Sequence, residues 1–246
     1  MHQWSALFVK DFKLSRSVFL MGLVMNILIA MLTLYLERTA GDSLLMFVPL
    51  AVAAVIHVAY VPIIVFISLK SEGNHLHIWL SNPQSASKLL LSKIVNGLLM
   101  IMISLILLFA LSGLLVAAKF SFIEPYGTDI WRVGLFTFPH IIWFSIELGL
   151  GVMVLWALYQ YLKRRIGRWS WTVVAGAAIL AGGIDAWFET SKLYRFMADR
   201  GCLTYKFPTL ISDPIHTYVG GYIYDFIIMI GLFILAAWLV DHKVEG

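Results

Sequence analysis

The sequence predicts an all-α integral membrane protein with six transmembrane helices, and three observations predict it. Of its 246 residues, 61% are apolar and 13% charged, against roughly 45–50% and about 25% in soluble domains. The apolar residues gather into six runs, each of about the 20 residues that a helix needs to cross a bilayer, or more. Lys and Arg are distributed unevenly among the segments between the runs, which is the pattern that sets orientation. So much of the chain is span that no room is left for a separate soluble domain. The net charge of +4 therefore reports topology, and nothing points to nucleic acid.

Residues 1–16 place Trp4, Leu7, Phe8 and Phe12 at helical spacing, with Lys10, Lys13 and Arg16 mostly elsewhere. That pattern predicts an amphipathic helix lying in the membrane interface, although Asp11 sits close to the apolar stripe. The run that follows, 17–36, is too long for the h-region of a signal peptide and has no small-residue cleavage site, so it is read as a retained first span. The second span, 44–69, contains His57 and Pro62. Proline inside a spanning helix predicts a kink whose freed backbone groups are satisfied by neighbours.

Between the second and third spans lies 70–93, KSEGNHLHIWLSNPQSASKLLLSK, the only long polar interruption on the basic side. It reads as a short surface helix, a break at Asn82-Pro83, and a second helix that enters the next span. Asn82 suits an N-cap and Pro83 the first helical position, where a missing N–H costs nothing. The third span is 94–118, followed by an outer loop with Glu124, Pro125 and Asp129. The fourth, 133–162, is long enough to tilt or to bend at Pro139. A tight basic turn, Lys163 to Arg168, leads to the fifth span at 169–188, and the sixth runs over 222–240. The outer segment 189–221 is too charged to span and too long for a simple turn. It divides into a helical Ser191–Arg200 and, after Gly201 and Pro208, a second apolar stretch from Leu210 to Val219.

With the N-terminus inside, eleven of the eighteen Lys and Arg residues fall on the inner side. The positive-inside rule then places both termini in the cytoplasm of a cell bounded by this plasma membrane. Cys202 is the only cysteine, which excludes an internal disulfide and any cysteine-based metal cluster.

Three carboxylates lie inside spans: Glu147, Asp185 and Asp225. A charge at the bilayer centre costs about 2.5–3.5 kcal/mol on insertion scales, so such groups face a partner or a wet cavity. Glu147, near the middle of span four, is read with Asn26 and His57 as a candidate pathway residue; its alternative is a structural hydrogen bond to Asn96, His140 or a serine. Asp185 and Asp225 lie toward the outer ends. His57 and His140 are expected in helix–helix hydrogen bonds, and Gly113/Ala117, Ala177/Ala181 and Ala178/Gly182 at close helix contacts within the bundle or across a dimer. His75 and His77 with Glu72 do not make a metal site: on a helix the two histidines point in different directions, and zinc requires three or four ligands.

The order of a charged helix, Leu80, Pro83, Ser85, Lys88 and Lys93, and then a long apolar span resembles the first cytoplasmic coupling segment of type-2 ABC exporter permeases. As architecture the likeness covers the whole chain. Those permeases are similar in having an N-terminal interfacial helix, six spans, a coupling helix between spans two and three, and a partly re-entrant outer segment before span six. The resemblance implies one of a pair of permeases, a homo- or heterodimer in membrane lipid. Each permease would dock on a separate ATP-binding subunit through Glu72, His75, His77, Trp79, Asn82, Ser85 and Lys88. It implies that ATP and magnesium belong to that partner, with no cofactor on this chain. Compact bacterial members resemble exporters of antimicrobial and cytolytic peptides, so the implied cargo is hydrophobic or amphipathic: small peptides, toxins or drugs.

The sequence itself contains no G-x-x-x-x-G-K-[ST] phosphate loop, so ATP hydrolysis by that route must come from another chain. It also lacks G-x-S-x-G and H-E-x-x-H. The alternatives are an ion-coupled secondary carrier using Glu147, which predicts an internal repeat, and a polytopic membrane enzyme using the intramembrane carboxylates or histidines.

Overall fold

The computed structural model describes residues 2–40, 47–74, 84–118 and 128–244. The chain is predominantly α-helical, and among the described residues five helical stretches are long and apolar enough to cross a membrane: Trp4–Thr39, Val48–Gly73, Ala86–Ala117, Asp129–Glu189 and Val219–His242. It is a multi-pass membrane protein.

Helix α1 runs unbroken from His2–Ala40, where the sequence suggests an interfacial helix and then a span. No Gly or Pro lies before Gly22 to end it at residue 16. Leu7, Asp11, Ser15, Phe19, Asn26, Ala30 and Thr33 are all buried. Their spacing of three, four and seven draws a single stripe along the whole helix.

Helix α2 (Phe47–Ile56) passes through a 3-10 turn at His57–Ala59 into α3 (Tyr60–Gly73). Pro62 causes the change: it has no N–H, and its ring clashes with the carbonyl four residues back, that of Val58. The Tyr60 N–H turns to His57 O, an i→i−3 bond. Helix α4 (Ala86–Ala118) starts after Ser85, whose carbonyl accepts from the Lys88 and Leu89 amides at 3.0 and 3.2 Å. Helix α5 (Asp129–Ile166) accommodates Pro139 without a break. Gly167, at φ +59°, turns the chain through Gly167–Trp169 into α6 (Ser170–Glu189). Positive φ is cheap for glycine and costly for residues with a Cβ.

After α6, the Ser191 hydroxyl accepts the Tyr194 N–H at 3.1 Å and caps α7 (Lys192–Ala198). The apolar stretch Leu210 to Val219 contributes a strand. Strand β2 (Ile215–Tyr218) pairs antiparallel with β1 (Cys202–Tyr205), Thr204 opposite His216. Its burial alternates residue by residue, and Pro214 disfavours helix at the residue before it. Helix α8 (Val219–Leu239) follows and ends in a π turn, Val240–Val244.

The chain divides into two compact units. The first contains Met1–Ser68, Ser92–Gly149 and Phe207–Ser212. Phe19, Ile64 and Met100 form one of its core clusters, and Leu50, Ala53 and Leu108 another. Val61, fully buried, sits where three helices approach closely. A Cβ on Gly97 of α4 would come within 3.2 Å of Val61 Cγ1, and one on Gly149 of α5 within 2.8 Å. Asp129, at the start of α5, accepts the Thr209 amide and hydroxyl at 3.0 and 2.9 Å, which fastens Phe207–Ser212 to this unit.

The second unit contains Leu69–Leu91, Leu150–Lys206 and Asp213–Gly246. Gly73 leaves space for Gln160 and Trp156, and Gly220 packs beneath the Met197 and Ala198 carbonyls. Phe188, Tyr194 and Tyr224 pack ring on ring, and the Tyr224 hydroxyl donates to Asp185 at 3.3 Å. Burial, and then the negative charges of Glu189, Asp225, Asp185 and Asp199, push the Tyr194 phenol above its ordinary range.

Candidate functional site

Two groups of buried polar side chains stand out in the first unit. One lies near the middle of four predicted spans and the other beside the polar segment 70–93.

The mid-span group forms around the Pro62 break. The Val61 N–H would normally bond to His57 O, but the 3-10 turn separates them. Ser145 of α5 fills the gap: its hydroxyl accepts from Val61 N at 3.1 Å and donates to His57 O at 3.4 Å. A serine of a neighbouring helix thus completes a broken helical hydrogen bond, the compensation a spanning helix requires in lipid.

His57 itself bonds on both sides. Nδ1 lies 2.7 Å from Ala53 O, and Nε2 2.9 Å from Ser104 Oγ. A carbonyl can only accept, so Nδ1 carries the proton, and in the neutral ring Nε2 accepts from Ser104. Asn26 Nδ2 donates to both Ser104 Oγ and Ser104 O at 3.0 Å. The result is one directed series, Asn26 to Ser104 to His57 to Ala53, joining α1, α4 and the α2–α3 break. Tyr60 stacks on the imidazole with centroids 5.5 Å apart, and its hydroxyl donates to Phe19 O at 3.3 Å. Gly22 makes this possible, since a Cβ there would meet the Tyr60 ring at 2.6–3.1 Å. Such a series can take up or release a proton only by changing the tautomer or charge of the His57 ring.

The second group is ionic. Lys93 Nζ lies 3.0 Å from Asp11 Oδ1 and 2.8 Å from Ser68 Oγ, and the Ser92 hydroxyl donates to Asp11 Oδ2 at 2.6 Å. The Lys93 and Asp11 side chains are each 1% exposed. This clamp ties α1 to the end of α3 and the start of α4. Asp11, which looked out of place on an interfacial helix, is there to neutralise Lys93. Asn96, one turn further on, donates to Phe8 O and Ser92 O at 3.2 and 3.0 Å.

Of the expected pathway residues, Asn26 and His57 come together, and Glu147 is half-buried on α5. His57 makes the helix–helix bond expected of it; His140 bonds within its own helix, to Phe136 O at 2.6 Å. Of the expected docking residues, His75, His77, Trp79 and Asn82 lie outside the described residues, as does Pro83. Ser85 and Lys88 are exposed at the start of α4. There, in the second unit, the Ala86 N–H is capped by Asp241 Oδ1 at 3.2 Å, a carboxylate at the positive end of a helix. Glu72, expected on an exposed surface, is 8% exposed because the last turn of α3 is packed inward.

Ser104, Ser145 and the Asp11–Lys93 clamp were not singled out by the sequence. The available signal was Pro62, which demands an outside hydrogen-bonding group, and the scarcity of polar residues in the spans. Among the described residues, no three His, Cys, Asp or Glu side chains are grouped to hold a metal ion. Comparison of the chain with protein-family models, with curated proteins and with solved structures finds no match.

Proposed function

We propose that this chain is the permease subunit of an ATP-driven exporter of hydrophobic or amphipathic cargo, with six spans and both termini in the cytoplasm. Six rather than five is supported by the length of the stretch Asp129–Glu189. Its 61 residues would extend about 90 Å as one straight helix, against a hydrocarbon core of about 30 Å. The left-handed Gly167 within the basic turn supports a reversal there, giving spans four and five.

The observation that carries the reading is the buried clamp. The polar segment 70–93 is where a soluble partner would push, and the helices flanking it are joined to each other and to α1 by Asp11, Ser68, Ser92 and Lys93. A displacement applied to that segment would be transmitted to three spans as rigid-body motion. The partner would be a separate ATP-binding subunit holding ATP and magnesium, because this chain has no phosphate loop. Lys88 replaces Glu72 as the exposed charge facing it. A second permease would pack against the small-residue face of α6, where a Cβ added to Gly176, Gly182 or Gly183 would meet nothing within 4 Å.

The test is purification of the tagged chain from its native membrane with ATPase assay of the product. A co-eluting subunit bearing a phosphate loop, with vanadate-sensitive hydrolysis, is the expected result. A chain that purifies alone and without ATPase activity would overturn the reading. The broken second span with His57 at its break favours the alternative, an ion-coupled carrier. That reading predicts cargo uptake driven by a pH gradient without nucleotide, abolished by His57→Ala.

A further inference from the structure

In the second unit, the end of α5 and the turn into α6 carry Lys163, Arg164, Arg165 and Arg168, four cations within six residues. All four are exposed. No Asp or Glu lies between Glu147 and Asp185, and among the described residues none of the four cations forms an ion pair. Like charges gathered this closely repel one another and favour a partner of opposite sign.

The side chains show where that charge is directed. Lys163 Nζ lies 5.8 Å from the centre of the Tyr159 ring, and the Arg165 guanidinium 4.9 Å from that of Tyr161. Each ring is four residues earlier on α5, so both charged ends lean back one turn along the helix, the way its Cα–Cβ bonds point. They face the apolar length of α5 and not the space beyond its end. Arg164 and Arg168 make no hydrogen bond or ring contact among the described residues, so their guanidinium donors are open. Beside them Ile166 is 41%, Trp169 64% and Trp171 66% exposed. Exposed tryptophans next to basic residues suit the interfacial layer of a bilayer, where the ring sits at headgroup level. The link between α5 and α6 is only Gly167–Trp169, too short to carry these groups away from the helix ends.

We infer that the turn Lys163–Arg168 binds anionic phospholipid, with headgroup phosphates of the adjacent leaflet meeting Arg164 and Arg168 and with Trp169 and Trp171 in the interfacial layer. Guanidinium groups bind phosphate oxygens in a two-pronged geometry, and a basic cluster at the end of a spanning helix attracts anionic lipid. The backward lean of Lys163 and Arg165 selects a membrane surface over a soluble acidic protein, which would approach from the opposite side. The inference rests on the reading of α5 and α6 as separate spans and not on the transport reading.

The test reconstitutes the full chain in phosphatidylcholine nanodiscs containing a minor fraction of phosphatidylglycerol that carries a diazirine close to its glycerol, followed by irradiation and peptide mapping. Labelling of residues 159–171 should exceed that obtained with phosphatidylcholine carrying the same group, and unlabelled phosphatidylglycerol should compete for it. Arg164→Gln and Arg168→Gln should each lower the labelling on the order of fivefold, the loss expected of one cation near an anionic surface, and the double variant should lower it further. Their thermal melts should match the wild type, because neither side chain has a partner among the described residues. Lys13→Gln/Arg16→Gln, which removes the same charge from exposed positions of α1, should leave the labelling of the turn unchanged. Equal labelling of the turn by the two lipids would overturn the assignment alone, since the turn would still lie at the bilayer surface. Labelling by neither lipid would overturn the reading of α5 and α6 as separate spans along with it. Wild-type labelling in the double variant, with loss of a co-purifying protein, would make the turn a protein-docking face and overturn the lipid assignment.

Discussion

Replacing Asp11 by asparagine is expected to be among the most damaging single substitutions in this chain. The amide preserves the shape of the side chain and an acceptor for the Ser92 hydroxyl, but it removes the charge opposite Lys93. The ammonium, 1% exposed and 3.0 Å from the carboxylate, would keep the Ser68 hydroxyl at 2.8 Å but lose the opposite charge of Asp11. Lys10 does not bear on this balance, since it is 43% exposed and 4.0 Å away. Removing one partner of a buried pair costs about 3–5 kcal/mol. Lys93→Met should cost a similar amount, because it strands the carboxylate with the Ser92 hydroxyl. The double variant Asp11→Asn/Lys93→Met buries no net charge. It still loses the Ser68 contact, about 1–3 kcal/mol. Equilibrium unfolding of all four proteins in mixed micelles gives the cycle, and the coupling should be at least about 3 kcal/mol. Single variants within about 0.5 kcal/mol of wild type, or an additive double variant, would refute the claim that the clamp is a mutually dependent pair. Transmission of force from segment 70–93 would then need another route.

Ser145→Ala removes the hydroxyl that bridges Val61 N and His57 O; loss of about 1–3 kcal/mol is expected in the same unfolding assay, and an unchanged midpoint would show that the break closes by itself. Gly149→Ala forces a Cβ to within 2.8 Å of Val61 Cγ1 and should destabilise by about 1–3 kcal/mol, whereas Gly231→Ala inside α8, with open space around it, should be neutral or stabilising by up to about 1 kcal/mol. Asp129→Asn weakens the attachment of Phe207–Ser212 to α5 through Thr209, which limited proteolysis should report as faster cleavage between β1 and β2. Lys88→Glu should reduce co-purification of the ATP-binding subunit without lowering the melting temperature, and equal recovery would remove Lys88 from the docking surface.

The helical stretches were legible because they depend on long apolar runs, and a bilayer rewards any such run with a helix. Pro62 likewise marked the interruption of the second span, since the loss of a backbone donor is a property of the residue itself. The short helix capped by Ser191 was legible for the same local reason. Leu210 to Val219 was legible as an apolar stretch but not as a strand, because an apolar stretch of that length does not by itself fix the backbone conformation. Pro214 and the pairing with β1 decided for the strand. The candidate site was half legible: Asn26 and His57 stood out as polar residues in apolar spans, but Ser104 and Ser145 resemble any other serine in a helix.

By itself, then, the sequence determined the membrane-embedded helical class, the approximate places of the spans and the polar interruptions between them, because hydropathy and proline chemistry act locally. The tertiary structure decided which polar residues meet. Asp11 and Lys93 are 82 positions apart and Asn26 and Ser104 are 78 apart. No periodicity connects residues at such separations; helix packing does, and Val61 seated between Gly97 and Gly149 shows how close that packing must be. Burial then turns proximity into function, since a charge or hydroxyl withdrawn from water has to find its partner on another helix.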